Sequence, residues 1–218
     1  MWPGAQPARV YRIGVTNPPS AEIDATVITG GSWPRMLTWR SDDGNLIESV
    51  RVQVTGDRIR AYGRIISAPT ADTPAFNASY DLVTDDDGVT KRLSVHALTA
   101  AGEAQVTIAR DGESHWLVQG AQGSERAFFS GALSVDVLKS AFFNALTIRR
   151  HSLQSHADEV DVPVVYVELP SLQVKETVIN YAAAADGITV ISPVSSSKVS
   201  VDADGFVIDY PGLSSRVG

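Results

Sequence analysis

Alternation with a period of two, repeated in segment after segment, is the feature that most narrows what this chain can fold into. Val50, Val52 and Val54 alternate with Arg51, Gln53 and Thr55; after Gly56-Asp57, Ile59 and Ala61 alternate with Arg58, Arg60 and Tyr62. Successive side chains on a strand point to opposite faces, so each run gives one apolar and one polar face. Two such runs around a two-residue turn with Gly first predict a hairpin on a type II′ turn. A second pair follows the acidic turn Asp85-Asp86-Asp87-Gly88: Leu93, Val95 and Ala97 alternate, and after Ala101-Gly102 so do Ala104, Val106 and Ile108. Asp111-Gly112 then turns into His115-Trp116-Leu117-Val118.

Further strands are predicted at Glu125 to Phe129, Val162 to Glu168, Leu172 to Tyr181, Ile188 to Ser192, Lys198 to Asp202 and Phe206 to Tyr210. Pro163 and Pro193 each lack a ladder donor, which places them at a strand start or a sheet edge. Helical periodicity is weak; its best stretch is Ser134 to Asn144, where Val135, Leu138, Phe142 and Phe143 could share a face. The expected fold is all-β: a large, mostly antiparallel sheet curled into a roll or open barrel, with at most one or two short helices. Residues 1–35, rich in Pro, Gly, Ser and Thr with one strand-like piece at Val10 to Val15, read as a partly ordered extension. Residues 36–218 read as the β-roll domain.

With 18 Lys and Arg against 25 Asp and Glu, the net charge is −7, which argues against nucleic acid, whose binding needs a dense positive face. Cysteine is absent, which removes disulfides, thiolate metal sites and cysteine nucleophiles together. No apolar run approaches the roughly 20 residues needed to span a bilayer, and the N-terminus lacks the pattern of a signal peptide. With Met1 as the native start, the expectation is a cytoplasmic protein.

No motif carries an obvious chemistry. The four histidines, His96, His115, His151 and His156, have no zinc-binding spacing, so neither a metal nor a cofactor is expected. Gly-x-Ser-x-Gly is missing, and Ser114-His115, as neighbours on a strand, would point to opposite faces. Asp202-x-Asp204-Gly205 opens like a calcium loop but lacks the remaining ligands, and reads as a turn. Arg149-Arg150, read as strand residues, would place one guanidinium inward, where it needs a carboxylate such as Asp136, Glu48 or Asp209. Such an arginine at a cavity mouth would also suit a phosphate, carboxylate or sugar head group. Trp39, Trp116, Phe128, Phe129, Phe142, Phe143, Tyr181, Phe206 and Tyr210 supply aromatic surface for a core or a pocket.

Two stretches carry a resemblance. One is Val135-Asp136-Val137 followed by Ser140-Ala141-Phe142-Phe143-Asn144-Ala145-Leu146-Thr147-Ile148-Arg149-Arg150-His151; the other runs from Asp202 to Leu213 and ends in Tyr210-Pro211-Gly212-Leu213. Trp39 with Glu48, Gly63, Gly112 with Trp116 and Gly120, Val165-Tyr166-Val167, Leu169-Pro170-Ser171-Leu172 and Tyr181 add weaker matches. From about Leu37 to Val217 the chain resembles the putative glycolipid-binding family, a bacterial domain of unknown function. The family's central motif carries prolines and threonines where this chain has Ala141, Phe143, Ala145 and Thr147, and an Asp where it has Ser134.

The resemblance implies a β-roll around an apolar interior, like lipid carriers that use an incompletely closed barrel. The first functional expectation is a non-catalytic binding or carrier protein for a lipid or glycolipid held in the apolar interior of the curled sheet, with Trp39, Glu48, Trp116, Asp136, Asn144, Arg149, Arg150, Tyr181 and Tyr210 as candidate ligand-binding residues. A curled sheet can bury acyl chains at about 0.8 kcal/mol per methylene. The alternative is a hydrolase-type enzyme on a small or sugar-bearing substrate, with carboxylates such as Glu48 and Asp136 converging in a cleft. A third is an interaction module with an exposed sheet edge.

Overall fold

The computed structural model describes residues 33–121 and 123–218. The expected extension, with its strand at Val10 to Val15, lies almost entirely outside the described residues. Fifteen strands follow: β1 (Arg35–Arg40), β2 (Leu46–Thr55), β3 (Arg58–Ser67), β4 (Phe76–Thr84), β5 (Thr90–Thr99), β6 (Gly102–Arg110), β7 (Trp116–Gly120), β8 (Gly123–Ala127), β9 (Ser134–Val137), β10 (Glu159–Val167), β11 (Val174–Ala184), β12 (Gly187–Ile191), β13 (Ser196–Val201), β14 (Val207–Tyr210) and β15 (Ser214–Arg216). One α-helix, α1 (Asn144–Arg150), lies between β9 and β10. The fold class is all-β, as the alternation predicts.

All fifteen strands form one sheet in the order β8-β7-β6-β5-β4-β3-β2-β1-β15-β14-β13-β12-β11-β10-β9. Pairing is antiparallel throughout except between β9 and β10, which run parallel. The two edge strands, β8 and β9, are neighbours in sequence, joined only by residues 128–133. Laid flat, fourteen interstrand spacings of about 4.8 Å would part those edges by about 67 Å. The connection reaches about 25 Å at full extension. The sheet must therefore curl until its edges nearly meet, and it does so without closing. The Leu133 carbonyl accepts from Thr90 N at 2.9 Å, tying the approach to β9 onto the start of β5.

Hairpin chemistry follows the sequence closely. Thr55 pairs with Arg58 across Gly56-Asp57, and Gly56 has φ +61° while Asp57 keeps a negative φ, as a type II′ turn requires. Asp85 Oδ1 accepts from the amides of Asp87 and Val89, and Gly88 takes φ +73°, so the acidic run is a turn. Pro163 sits inside β10, not at its start. It is flanked by β11 alone, because pairing with β9 begins at Val164, so no second strand calls for the missing N–H.

Three expectations are corrected. Ser134 to Asn144 is not a helix: Ser134–Val137 is β9, in register with Val164–Val167, and the helix is displaced to Asn144–Arg150. Arg149 and Arg150 consequently sit on the last turn of a helix, about 100° apart, and not on opposite faces of a strand. Ser114-His115 lies in the turn from Asp111 to His115, with Ser114 at φ +67°, and not on a strand.

The roll's interior is solid around α1. Residues Ala141 to Ile148 are all buried, and the rings of Phe142, Phe143 and Tyr80 pack at centroid separations of 4.9 to 6.0 Å. Tyr80 lies across Gly63, its register partner on β3: a Cβ at position 63 would fall 2.1 Å from Tyr80 Cζ. Gly63→Ala is expected to cost about 1–3 kcal/mol or more through overpacking, whereas Gly112→Ala, where a Cβ meets nothing within 4 Å, should stay within about 0.5 kcal/mol. Paired thermal melts of the two variants check this; equal losses would refute it.

Candidate functional site

Glu48 occupies an inward position on β2, between Leu46 and Val50, where the alternation asks for an apolar residue. It is fully buried, and no cation lies within 4 Å of it among the described residues. Four donors serve it instead. Tyr80 Oη and Ser140 Oγ donate to Oε1 at 2.8 and 2.5 Å; the amides of Ala141 and Phe142 donate to Oε2 at 2.8 and 3.3 Å. Burial pushes its pKa up while the four hydrogen bonds pull it down. Glu48 thus fastens the segment leading into α1 to the sheet wall.

Beside this anchor a pocket of about 340 Å³ enters the roll at the end where the β1–β2, β12–β13 and β14–β15 turns lie. Leu46, Val137, Leu138, Ile179 and Val190 are part of its apolar wall, Asp136, Asn144, Tyr166, Tyr210 and Ser140 supply polar groups, and Ser192, Ser195 and Ser197 add hydroxyl-bearing residues. At this volume it stands at the small end of ligand pockets.

Asp136 is the unusual member. It lies on β9 opposite Tyr166 on β10, keeps part of its surface open to the pocket and is otherwise enclosed. Its only hydrogen bond from the described residues comes from the Val137 amide, 2.8 Å from Oδ1, and no cation pairs with it. Burial, reinforced by the charge of Glu48, pushes its pKa to about 7. Tyr181 Oη donates to Asn144 Oδ1 at 3.2 Å, behind the pocket. Ser195 Oγ and Tyr210 Oη lie 3.3 Å apart. Burial raises the pKa of Tyr166, Tyr181 and Tyr210, and the Asp136 charge adds to each, so all three phenols stay protonated at neutral pH.

Of the nine residues proposed from sequence, the structure brings Asp136, Asn144 and Tyr210 onto this pocket, with Tyr181 and Glu48 bonded to its walls. Four lie elsewhere. Trp39 and Trp116 are fully buried, their indole N–H groups donating to the carbonyls of Val207 and Ala132. Arg149 reaches the carbonyls of Asp204 and Gly56 and lies over the Phe206 ring. Arg150 donates to Ser134 Oγ at 3.2 Å. The expected carboxylate partners are therefore corrected: Glu48 takes neutral donors, Asp136 an amide, and Asp209 the Ser215 hydroxyl. Ser140, Tyr166 and Ser195 line the pocket and are not among the nine; Ser140 and Tyr166 stand in stretches that carry the resemblance, and Tyr166 is the polar member of the apolar run Val164 to Val167.

Two other polar clusters have simpler accounts. Asp111, Glu113 and His115 come within 4.8 Å of one another, but Arg126 pairs with both carboxylates at 2.8 and 2.7 Å. Asp202 Oδ1 caps the amides of Asp204 and Phe206, and Gly205 has φ +81°, so Asp202 to Gly205 is the turn its composition predicts.

The sequence model of the family described as "Putative glycolipid-binding" matches residues 36–216. The chain belongs to this family. No curated protein matches it. Among solved structures, a DUF1089 family protein from Pseudomonas aeruginosa is similar, with a TM-score of 0.64 and 24% identity over 87% of this chain and 100% of that one. That likeness is one of fold. No helix among the described residues is long and apolar enough to cross a membrane.

Asp136 makes stability depend on pH in a direction opposite to most carboxylates. Unfolded, it titrates near 3.8; folded, it holds its proton to about 7. Between those values the folded state binds more protons, so its contribution falls as pH rises from about 4 to 7 and is constant above. The slope is at most about 1.4 kcal/mol per pH unit. Asp136→Asn should remove that slope and raise Tm at pH 8 relative to the parent; an unchanged Tm-against-pH profile would show that the carboxyl titrates normally.

Proposed function

We propose that this protein binds a sugar-bearing amphiphile, a glycolipid or a molecule like it, by taking the hydroxylated head group into the pocket beside Asp136. One observation carries the reading: a carboxyl group with no cation partner among the described residues opens onto a pocket that combines tyrosine hydroxyls, an amide and serine hydroxyls with an aliphatic wall. Hydroxyls of a sugar both donate and accept, and a group of this kind matches a lining of mixed donors and acceptors. The aliphatic wall suits the apolar face of a ring or the first carbons of a chain. The family description points the same way.

The volume refines where an acyl chain would go. About 340 Å³ accommodates a head group or a short stretch of chain, while the centre of the roll is taken by α1 and its aromatic neighbours. In this reading most of a long tail stays outside the roll. A hydrolase using Glu48 and Asp136 together is less well supported, because of the two only Asp136 opens on the pocket; Glu48 is closed off by its four donors.

Titration calorimetry with a short-chain glycosylated lipid tests the proposal. Saturable one-to-one binding is expected, and Tyr210→Phe and Asp136→Asn should each weaken it about five- to tenfold, the worth of one hydrogen bond. Binding indifferent to both substitutions, or absent across glycosylated lipids, would sink the reading.

A further inference from the structure

At the C-terminal end of α1, Arg150 lies near enough to Arg110 to feel its charge, and among the described residues neither arginine has a carboxylate within 4 Å. Register places them there: Arg92 on β5 pairs with Ala109, setting Arg110 beside the start of β5, and the Thr90–Leu133 hydrogen bond brings β9 to the same place. Arg150 Nη1 donates to Ser134 Oγ at the head of β9, at 3.2 Å, and its Nη2 lies 3.3 Å from His151 Nε2. Arg110, Arg150 and His151 are all half-buried. Arg110 makes no side-chain hydrogen bond among the described residues, and its Nε is buried without a partner. Burial, then the nearby Arg110 charge, lowers the Arg150 pKa, and burial and Arg150 lower that of His151.

Carboxylates are not in short supply. The chain has 25 acidic residues against 18 basic ones, and Arg35, Arg58, Arg92, Arg126 and Arg216 each hold an acidic partner within 4 Å. Arg110 and Arg150 hold none among the described residues, and the carboxylates whose charge reaches the group, Asp85 and Asp158, lie beyond that distance. Hydrogen bonding to the helix end does not occupy the pair, since the carbonyls of Thr147, Ile148 and Arg149 already accept from the amides of His151, Leu153 and Ser152; the helix dipole favours Arg150 there but leaves Arg110, on β6, without a role. Two like charges kept half out of water raise the energy of the fold unless something neutralises them. Two guanidinium forks beside an imidazole match the several oxygens and double charge of a phosphate monoester better than they match the single fork of a carboxylate.

We propose that Arg110, Arg150 and His151 form a phosphate-binding site, separate from the glycolipid pocket, none of whose lining residues it shares. The phosphate comes either from a small soluble ester or from a lipid head group, and the two sources are separable by experiment. Inorganic phosphate is titrated into the full chain by calorimetry at constant ionic strength, against a chloride control. Saturable binding is expected, weakened at least tenfold in Arg150→Met and in Arg110→Gln, with Arg150→Lys intermediate because it keeps charge but loses the fork. Circular dichroism melts certify the variants as folded, and their glycosylated-lipid binding should match the parent, which separates this site from the pocket. Glycerol phosphate and phosphatidic acid vesicles then identify the source: binding of the soluble ester marks a free phosphate compound, binding of the vesicles alone a lipid head group. No saturation by inorganic phosphate, glycerol phosphate or the vesicles, or saturation that survives both Arg110→Gln and Arg150→Met, overturns the proposal.

Discussion

A connection of six residues, 128–133, between strands at opposite edges of a fifteen-stranded sheet is the constraint from which the rest follows. Once the edges are held together, the inward faces of β2 to β6 must look at one another across a closed-in space. Something has to fill it. The helix between β9 and β10 does so, and it enters on the inside because β9, running parallel to β10, needs a crossover and the roll leaves that crossover nowhere else to be buried.

Filling the interior with backbone brings a cost, because amides at the start of α1 have no strand to pair with. Glu48 meets that cost. Its carboxylate collects two amides, a serine and a tyrosine, and Tyr80 can reach it only because residue 63 has no side chain. Neutral donors in this number stabilise a buried carboxylate without a counter-ion. Burial pushes the Asp136 pKa to about 7, and the Glu48 charge adds to that shift, so a residue placed for architecture also bears on the group facing the pocket.

Most of the sheet was legible. β2, β3, β5 and β6 carry clean alternation and their turns carry the glycines that positive φ demands. β4 alternates as regularly, with Phe76, Ala78, Tyr80 and Leu82 inward, yet is not among the strands expected from the sequence. The stretch from Ser134 to Arg150 departs from expectation for a physical reason: it is buried on nearly every side, so no polar face marks either period. Its strand could be told from its helix only by the partner strand, which no local pattern contains. The site was half legible. Asp136, Asn144 and Tyr210 were found through the resemblance at two distant stretches, whereas Ser195, on a turn rich in serines, carries no signal of its own.

The strand that completes the sheet at its middle, β15, is also the last to be made. Its partner β1 lies some 175 residues earlier, and each of its two pairings is only two residues long in register. During synthesis the meander from β1 to β8 precedes β15, so the β1 edge lacks this partner until the fifteenth strand is made. Sheet edges left open in this way invite pairing with other chains. The arginines at 35 and 216, both drawn to Asp202, therefore do more than decorate a surface. They bind the earliest and latest strands to one turn, and the vulnerable interval in the life of this protein ends when that turn is reached.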